Sequence, residues 1–134
     1  MREILFRGKS LKTGKWTQGY LFRCWERAYI LWGMINDNAD MTEVDPETVC
    51  QYTGLADENG RKIFEGDIVA FTDTYSTDSG YAEGDCIGKV MWDEEEVCFH
   101  VTERLSAESW EVLQECCVIG NIFDNPELID GGER

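Results

Sequence analysis

Between two runs rich in branched and aromatic residues lies Asp57-Glu58-Asn59-Gly60, a tetrapeptide that commits its flanks to an antiparallel hairpin. Asn-Gly accepts the positive φ angles that a tight two-stranded turn requires. Thr48 to Leu55 enters this turn as a strand, with Val49, Gln51 and Thr53 facing one way and Cys50 and Tyr52 the other. Lys62-Ile63-Phe64 leaves it, turns again at Glu65-Gly66-Asp67, and continues as Ile68-Val69-Ala70-Phe71. Elsewhere the chain follows the same pattern. Ile4-Leu5-Phe6 precedes a polar turn through Gly14, a run from Trp16 reaches Trp25, and a turn at Glu26-Arg27-Ala28 leads to Tyr29–Ile35. Cys86–Trp92 is answered across Asp93-Glu94-Glu95-Glu96 by Val97–Val101, where Val97, Phe99 and Val101 are expected to point inward, with Cys98 and His100 on the outer face. Short runs of strand formers bounded by turn residues predict a mainly β fold.

The organisation read from this pattern is one domain over 1–134, with N-terminal β-hairpins over 1–40 and a barrel-like region over 45–129. The stretch from Gly66 to Phe123 has the rhythm of a small SH3-like barrel. Asp45-Pro46-Glu47 places a capping aspartate before proline, as at a helix start or tight turn, and Asn125-Pro126 predicts a short C-terminal helix. Ser106 to Trp110 is expected to form one helical turn, and Glu111 to Phe123 a last strand or two. The polar stretches Asn36–Asp45 and Asp73–Asp85 are read as loops, the second being the segment best placed to contact a partner. Residues 131–134 are expected to fray. Trp16, Trp25 and Trp32 are assigned to packing rather than to a binding surface.

The chain of 134 residues has no apolar run of eighteen, so no membrane span is expected, and the apolar stretch at its start is too short for a signal peptide. A cytoplasmic protein follows as the expectation. The six cysteines (Cys24, Cys50, Cys86, Cys98, Cys116, Cys117) lack metal-ligand spacing and are read as reduced thiols, mostly small core hydrophobes. A metal site assembled from distant cysteines is the alternative; the expectation is no metal and no cofactor.

Charge is unevenly placed. The net charge is −15, yet residues 1–35 hold seven Lys/Arg against Glu3 and Glu26, while residues 36–134 hold five basic against twenty-five acidic side chains. Phosphate contacts need a positive face, so nucleic-acid binding by the whole surface is disfavoured. An acidic face serves solubility, or meets a basic partner, or imitates nucleic acid.

Catalytic signals are missing from the sequence. His100 is the one histidine, and no nucleophile elbow, phosphate-binding loop or dinucleotide fingerprint is present. Cys98 and His100 share a strand face but are spaced too far apart for thiolate activation. Glu65 and Asp67 could pair for acid–base work, but turn residues bonding local amides is the preferred reading. The expectation is a protein that is not an enzyme.

Three blocks carry a family resemblance. The first is Met1 to Gly8 with Gly14-Lys15-Trp16 and Gly19-Tyr20-Leu21. The second runs from Val44 to Val69 through Gln51-Tyr52-Thr53-Gly54-Leu55, Asn59-Gly60 and Ile63-Phe64-Glu65-Gly66-Asp67-Ile68-Val69. The third is Val118-Ile119-Gly120-Asn121-Ile122-Phe123-Asp124-Asn125-Pro126-Glu127-Leu128. In this order they resemble the YopX family, small proteins carried by bacteriophages and prophages. The resemblance implies a β-rich protein in a phage setting and supplies no catalytic residues. The motif residues Gln51, Tyr52, Thr53, Gly54, Asn59, Gly60, Glu65, Gly66, Asp67, Gly120, Asn121, Asn125 and Pro126 are read as structural. The chain departs from the family at Cys50, where glycine is usual. The expected function is a non-catalytic accessory protein that binds a host or phage protein. An acidic nucleic-acid mimic and a weak nucleic-acid-binding barrel are the alternatives. A homo-oligomer with contacts through the N-terminal hairpins is also expected.

Overall fold

A computed structural model describes residues 2–36 and 38–130, so the expected fraying at 131–134 lies outside the described residues. Strands dominate, in two antiparallel sheets, with only short helices. The chain divides into two compact units, Met1–Gly54 and Leu55–Arg134.

In the first unit, β1 (Phe6–Lys9), β2 (Trp16–Cys24), β3 (Arg27–Ile35), β4 (Asn38–Val44) and β5 (Cys50–Ala56, whose last two residues lie beyond Gly54) follow the sheet order β4-β3-β2-β1-β5. The sheet curls until Ser10, just past β1, bridges Val44 at the end of β4. Gly8 makes that closure possible, because a Cβ there would lie 2.8 Å from the Val44 side chain. β2 pairs with β1 up to Gly19 and with β3 from Tyr20, so it bends where it changes partner. A Cβ on Gly19 would run into the Leu31 carbonyl, and only glycine fits. The concave side holds a small core of Ala28, Ile30 and Val44, with Phe6, Leu21 and Val49 packed against it. Asp45 caps a 3₁₀ turn over Pro46–Thr48 by accepting from the Glu47 amide. Thr48 Oγ1 then accepts from the Lys9 amide.

Where a loop was expected at Asn36–Asp45, the structure has β4. Its charged residues hide the alternation: Thr42 opposite Ile30 and Val44 opposite Ala28 share the inner face, and Met41 opposite Leu31 the outer one. The β2–β3 turn falls at Trp25-Glu26 rather than at Glu26–Ala28, with Trp25 at φ 55° and Ala28 fully buried.

The second unit contains β6 (Lys62–Phe64), β7 (Asp67–Thr77), β8 (Gly80–Asp93), β9 (Cys98–Val101), α1 (Ser109–Gln114), β10 (Cys117–Asn121) and α2 (Glu127–Asp130). Its sheet order is β10-β7-β8-β9. The core joins Ile63, Val69, Phe71, Val90, Val101, Val112, Leu113, Cys116 and Val118. Burying such side chains stabilises by roughly 1.5–3 kcal/mol each. β8 bends as β2 does: Gly88 faces β7, Val90 pairs with Val101 of β9, and a Cβ on Gly88 would strike the Thr102 carbonyl.

Three further expectations are corrected here. Asp73–Asp85 is not a loop: β7 and β8 stay paired to Thr77↔Gly80, with Gly80 at φ 128° closing the Asp78-Ser79 turn. Threonine, serine and tyrosine are good strand residues, and their polarity disguised them. Glu111–Gln114 is helical rather than extended. Glu108 and Glu111 form a capping box, and Val112, Leu113 and Cys116 are buried at helical spacing. Val97 does not point inward. It sits in the turn at φ 56° and is 68% exposed, while Val101 is buried and Phe99 packs against the core.

Candidate functional site

The curl of the N-terminal sheet hides one set of alternating side chains and presents the other. Tyr20, Leu31 and Met41 stand opposite one another across β2, β3 and β4, forming a row on the outer face. Phe22 stands beside them opposite Tyr29, with ring centroids 6.0 Å apart. Tyr20, Phe22 and Met41 are each at least half exposed. Trp25, in the turn beyond, is 90% exposed. The packing role expected for the tryptophans therefore fails outright for Trp25. Trp32 lies at a bulge in the β3–β4 ladder and is also largely exposed, its Nε1 donating to Thr42 Oγ1 at 3.0 Å.

Beside this face, the turn after β1 and the neighbouring strands enclose an open groove of about 880 Å³. Leu11, Trp16, Trp32 and Met41 line it, together with Lys12, Lys15 and Glu43. Arg7 and Lys9 stack on Trp16, at 4.6 and 5.5 Å from its ring centroid. Glu43 is engaged by Arg27 at 3.9 Å, so the groove's remaining charge is positive.

The motif residues singled out from the sequence lie elsewhere and hold turns. Gln51 pairs with Phe6, and the Tyr52 amide donates to the Leu5 carbonyl. Thr53 is half-buried in β5, ahead of Gly54, and Gly54, Gly60 and Gly66 adopt φ between 83° and 93°. Asn59 donates its amide to Asp57 Oδ1 and its side chain to Cys117 Sγ. Glu65 and Gly66 form the turn before Asp67, whose buried carboxylate accepts from the Phe64 amide. Gly120 leaves space for the Asn125 side chain, which accepts from the Asn121 amide, and Pro126 directly precedes α2. These residues do not converge on the groove.

Two carboxylates that sequence reasoning passed over organise the second unit. Asp57 accepts from the amides of Asn59, Arg61 and Val118. Asp73 accepts from the amides of Thr74, Leu105 and Ala107 and from the Ser106 hydroxyl. Burial pushes both carboxyls up, but the amide donors outweigh it and hold each below the usual carboxylate range. Donors up to 61 residues away in sequence leave no local signature.

All six cysteines are free, but only Cys50 and Cys116 are buried, so most are not core residues. Burial, with Asp57 nearby, pushes the Cys116 thiol up to about 11. Cys98 is exposed, and His100 is half-buried with Nδ1 lacking a hydrogen-bond partner. Among the described residues, no group of three or more His, Cys, Asp or Glu side chains is arranged to hold a metal. Among the described residues, no helix is long and apolar enough to cross a membrane.

No curated protein matches the chain. Among solved structures it is similar to protein EF1440 from Enterococcus faecalis, with a TM-score of 0.58 and 21% identity over 96% of this chain and 99% of that one. At that identity the likeness is one of fold. The YopX protein family profile matches residues 5–130, nearly the whole chain. The chain belongs to the YopX protein family.

Proposed function

We propose that this chain is a non-catalytic protein-binding module of the phage or prophage accessory type. It acts in the cytoplasm of a bacterial host and presents the outer face of its N-terminal sheet to a host or phage protein. The observation that carries this reading is the row Tyr20–Leu31–Met41 across three adjacent strands with Phe22 beside it, in which Tyr20, Phe22 and Met41 are exposed. Scattered exposed apolar residues are ordinary, but contiguous ones rimmed by polar groups mark association sites. The rim here includes Arg27 and Glu43, which gives orientation to an apolar contact. The phage setting rests on the family resemblance alone.

Affinity capture from host lysates tests the reading when wild type is run beside Tyr20→Ser/Phe22→Ser. Wild type is expected to retain a stoichiometric protein that the double variant loses by at least tenfold. Finding no stoichiometric partner across several hosts and salt conditions would overturn it.

A second reading has its own support. Residues 55–134 hold twenty acidic and five basic side chains. Two of those five, Arg61 and Arg104, spend their guanidinium groups on backbone carbonyls. Such a surface suits a nucleic-acid mimic. In that case duplex DNA would displace the captured partner, and charge reversal in the second unit would abolish capture.

A further inference from the structure

The groove of the first unit has a chemistry that the sheet face lacks. Its lining includes the apolar side chains of Trp16, Trp32, Leu11 and Met41, together with exposed Lys12 and Lys15. Neither lysine has an ion pair among the described residues, and the lining carboxylate, Glu43, is already held by Arg27. A ligand fitting this site offers clustered carboxylates beside a compact apolar group.

The β8–β9 turn of this same chain offers both. Asp93 Oδ1 accepts from the amides of Glu95 and Glu96 at 2.9 and 3.2 Å, which fixes the turn and leaves Glu94, Glu95 and Glu96 all exposed. Trp92 and Val97 flank them, 41% and 68% exposed. Val97 is unusual on its own account. A β-branched residue at φ 56° is strained, and an exposed one gains no burial in return. The turn presents three carboxylates between two apolar side chains; the groove presents two ammonium groups beside apolar side chains.

We propose that the groove at Trp16 and Trp32 receives the acidic Asp93–Val97 turn of a second copy of this chain. Val97 meets the apolar side chains, and Glu94–Glu96 meet Lys12 and Lys15. Charge supports a second copy as occupant. Residues 1–54 are neutral overall and residues 55–134 carry −15, so contact between unlike units avoids the repulsion that joining two acidic units would meet. The contact is heterologous, since groove and turn are different surfaces. It propagates into a ring if the rotation closes and into an open chain if it does not.

Sedimentation velocity at about 100 μM protein and about 150 mM salt, where the screening length is about 8 Å, tests this. Wild type is expected to sediment as an oligomer. Lys12→Glu/Lys15→Glu and, separately, Glu94→Lys/Glu95→Lys/Glu96→Lys are each expected to raise the dissociation constant at least tenfold. The altered side chains are exposed, so both variants should keep the wild-type melting curve at protein concentrations too low for association. Mixing the two variants in equal amounts restores association, because each groove again meets a turn of opposite charge. Wild type running as a monomer would overturn the proposal. So would a lysine variant that assembles normally, or a mixture that stays dissociated. Association lost through Tyr20→Ser/Phe22→Ser but kept in the lysine variant would place the second copy on the sheet face and overturn it too.

Discussion

Residues 1–54 carry seven basic and seven acidic side chains, whereas residues 55–134 carry five and twenty. The units also differ in what holds them together. The first has a core cluster of three buried residues and exposes much of its aromatic material. The second has nine buried residues in its cluster and anchors distant segments on buried aspartates. One unit thus leaves apolar surface available for association, and the other turns carboxylates both inward as structural acceptors and outward as charge. What they share is a long strand that changes partner at a buried glycine, Gly19 in β2 and Gly88 in β8.

Core truncation breaks the comparison most severely. Ile30→Ala in the first unit and Ile63→Ala in the second each remove a fully buried side chain and are expected to cost about 2–5 kcal/mol. Residue-resolved hydrogen exchange checks where the loss begins. Protection should fall first in residues 6–54 for Ile30→Ala and in residues 62–121 for Ile63→Ala. The bend glycines come next. Gly19→Ala and Gly88→Ala drive a Cβ into a backbone carbonyl that cannot rotate away, and denaturant melts should register losses of about 3 kcal/mol.

The aspartates sharpen the contrast through pH. Asp57 and Asp73 have carboxyls held below the ordinary value near 3.9, so the unfolded chain takes up their protons first. The stability they contribute is present above about pH 4 and is lost as pH falls through their folded-state values. Acid unfolding followed by exchange should therefore open residues 57–61, 73–74 and 105–118 early. Asp73→Asn leaves buried amides short of an acceptor and should cost about 1–3 kcal/mol at neutral pH while flattening the acid limb. The smallest stability effect is expected on the outer sheet face. Tyr20→Ser/Phe22→Ser should change the melting free energy by no more than about 0.5 kcal/mol per site.

Turns were legible in the sequence because their chemistry is local. Asn59-Gly60, Gly66 and Asn125-Pro126 mark turns or element starts by residue type alone, and the structure places a turn or helix at each. β4 and the distal halves of β7 and β8 were missed because their polar residues mimic loop composition. Only the pairing of Met41 with Leu31, or Tyr75 with Ala82, reveals a ladder. The helical turn expected at Ser106–Trp110 meets the start of α1 at Ser109 and Trp110, whereas adjacent apolar Val112 and Leu113 suggest a strand from Glu111; the Glu108–Glu111 pair and the Val112–Cys116 spacing are the helical signs there. The exposed row was hidden for a deeper reason. Which face of an alternating strand meets solvent depends on the direction of curl, set by Gly8 and Gly19 contacts across the sheet.

In the proposed role, the first unit provides the surface to which a host or phage protein binds. Hydrogen–deuterium exchange on the purified complex, compared with the free chain at the same concentration, tests it most directly. Added protection is expected in 18–34 and 38–44, strands β2, β3 and β4 of the N-terminal sheet, with exchange over 55–130 left as in the free chain. Added protection confined to the acidic segments of 73–115, with β2, β3 and β4 unchanged, would contradict it.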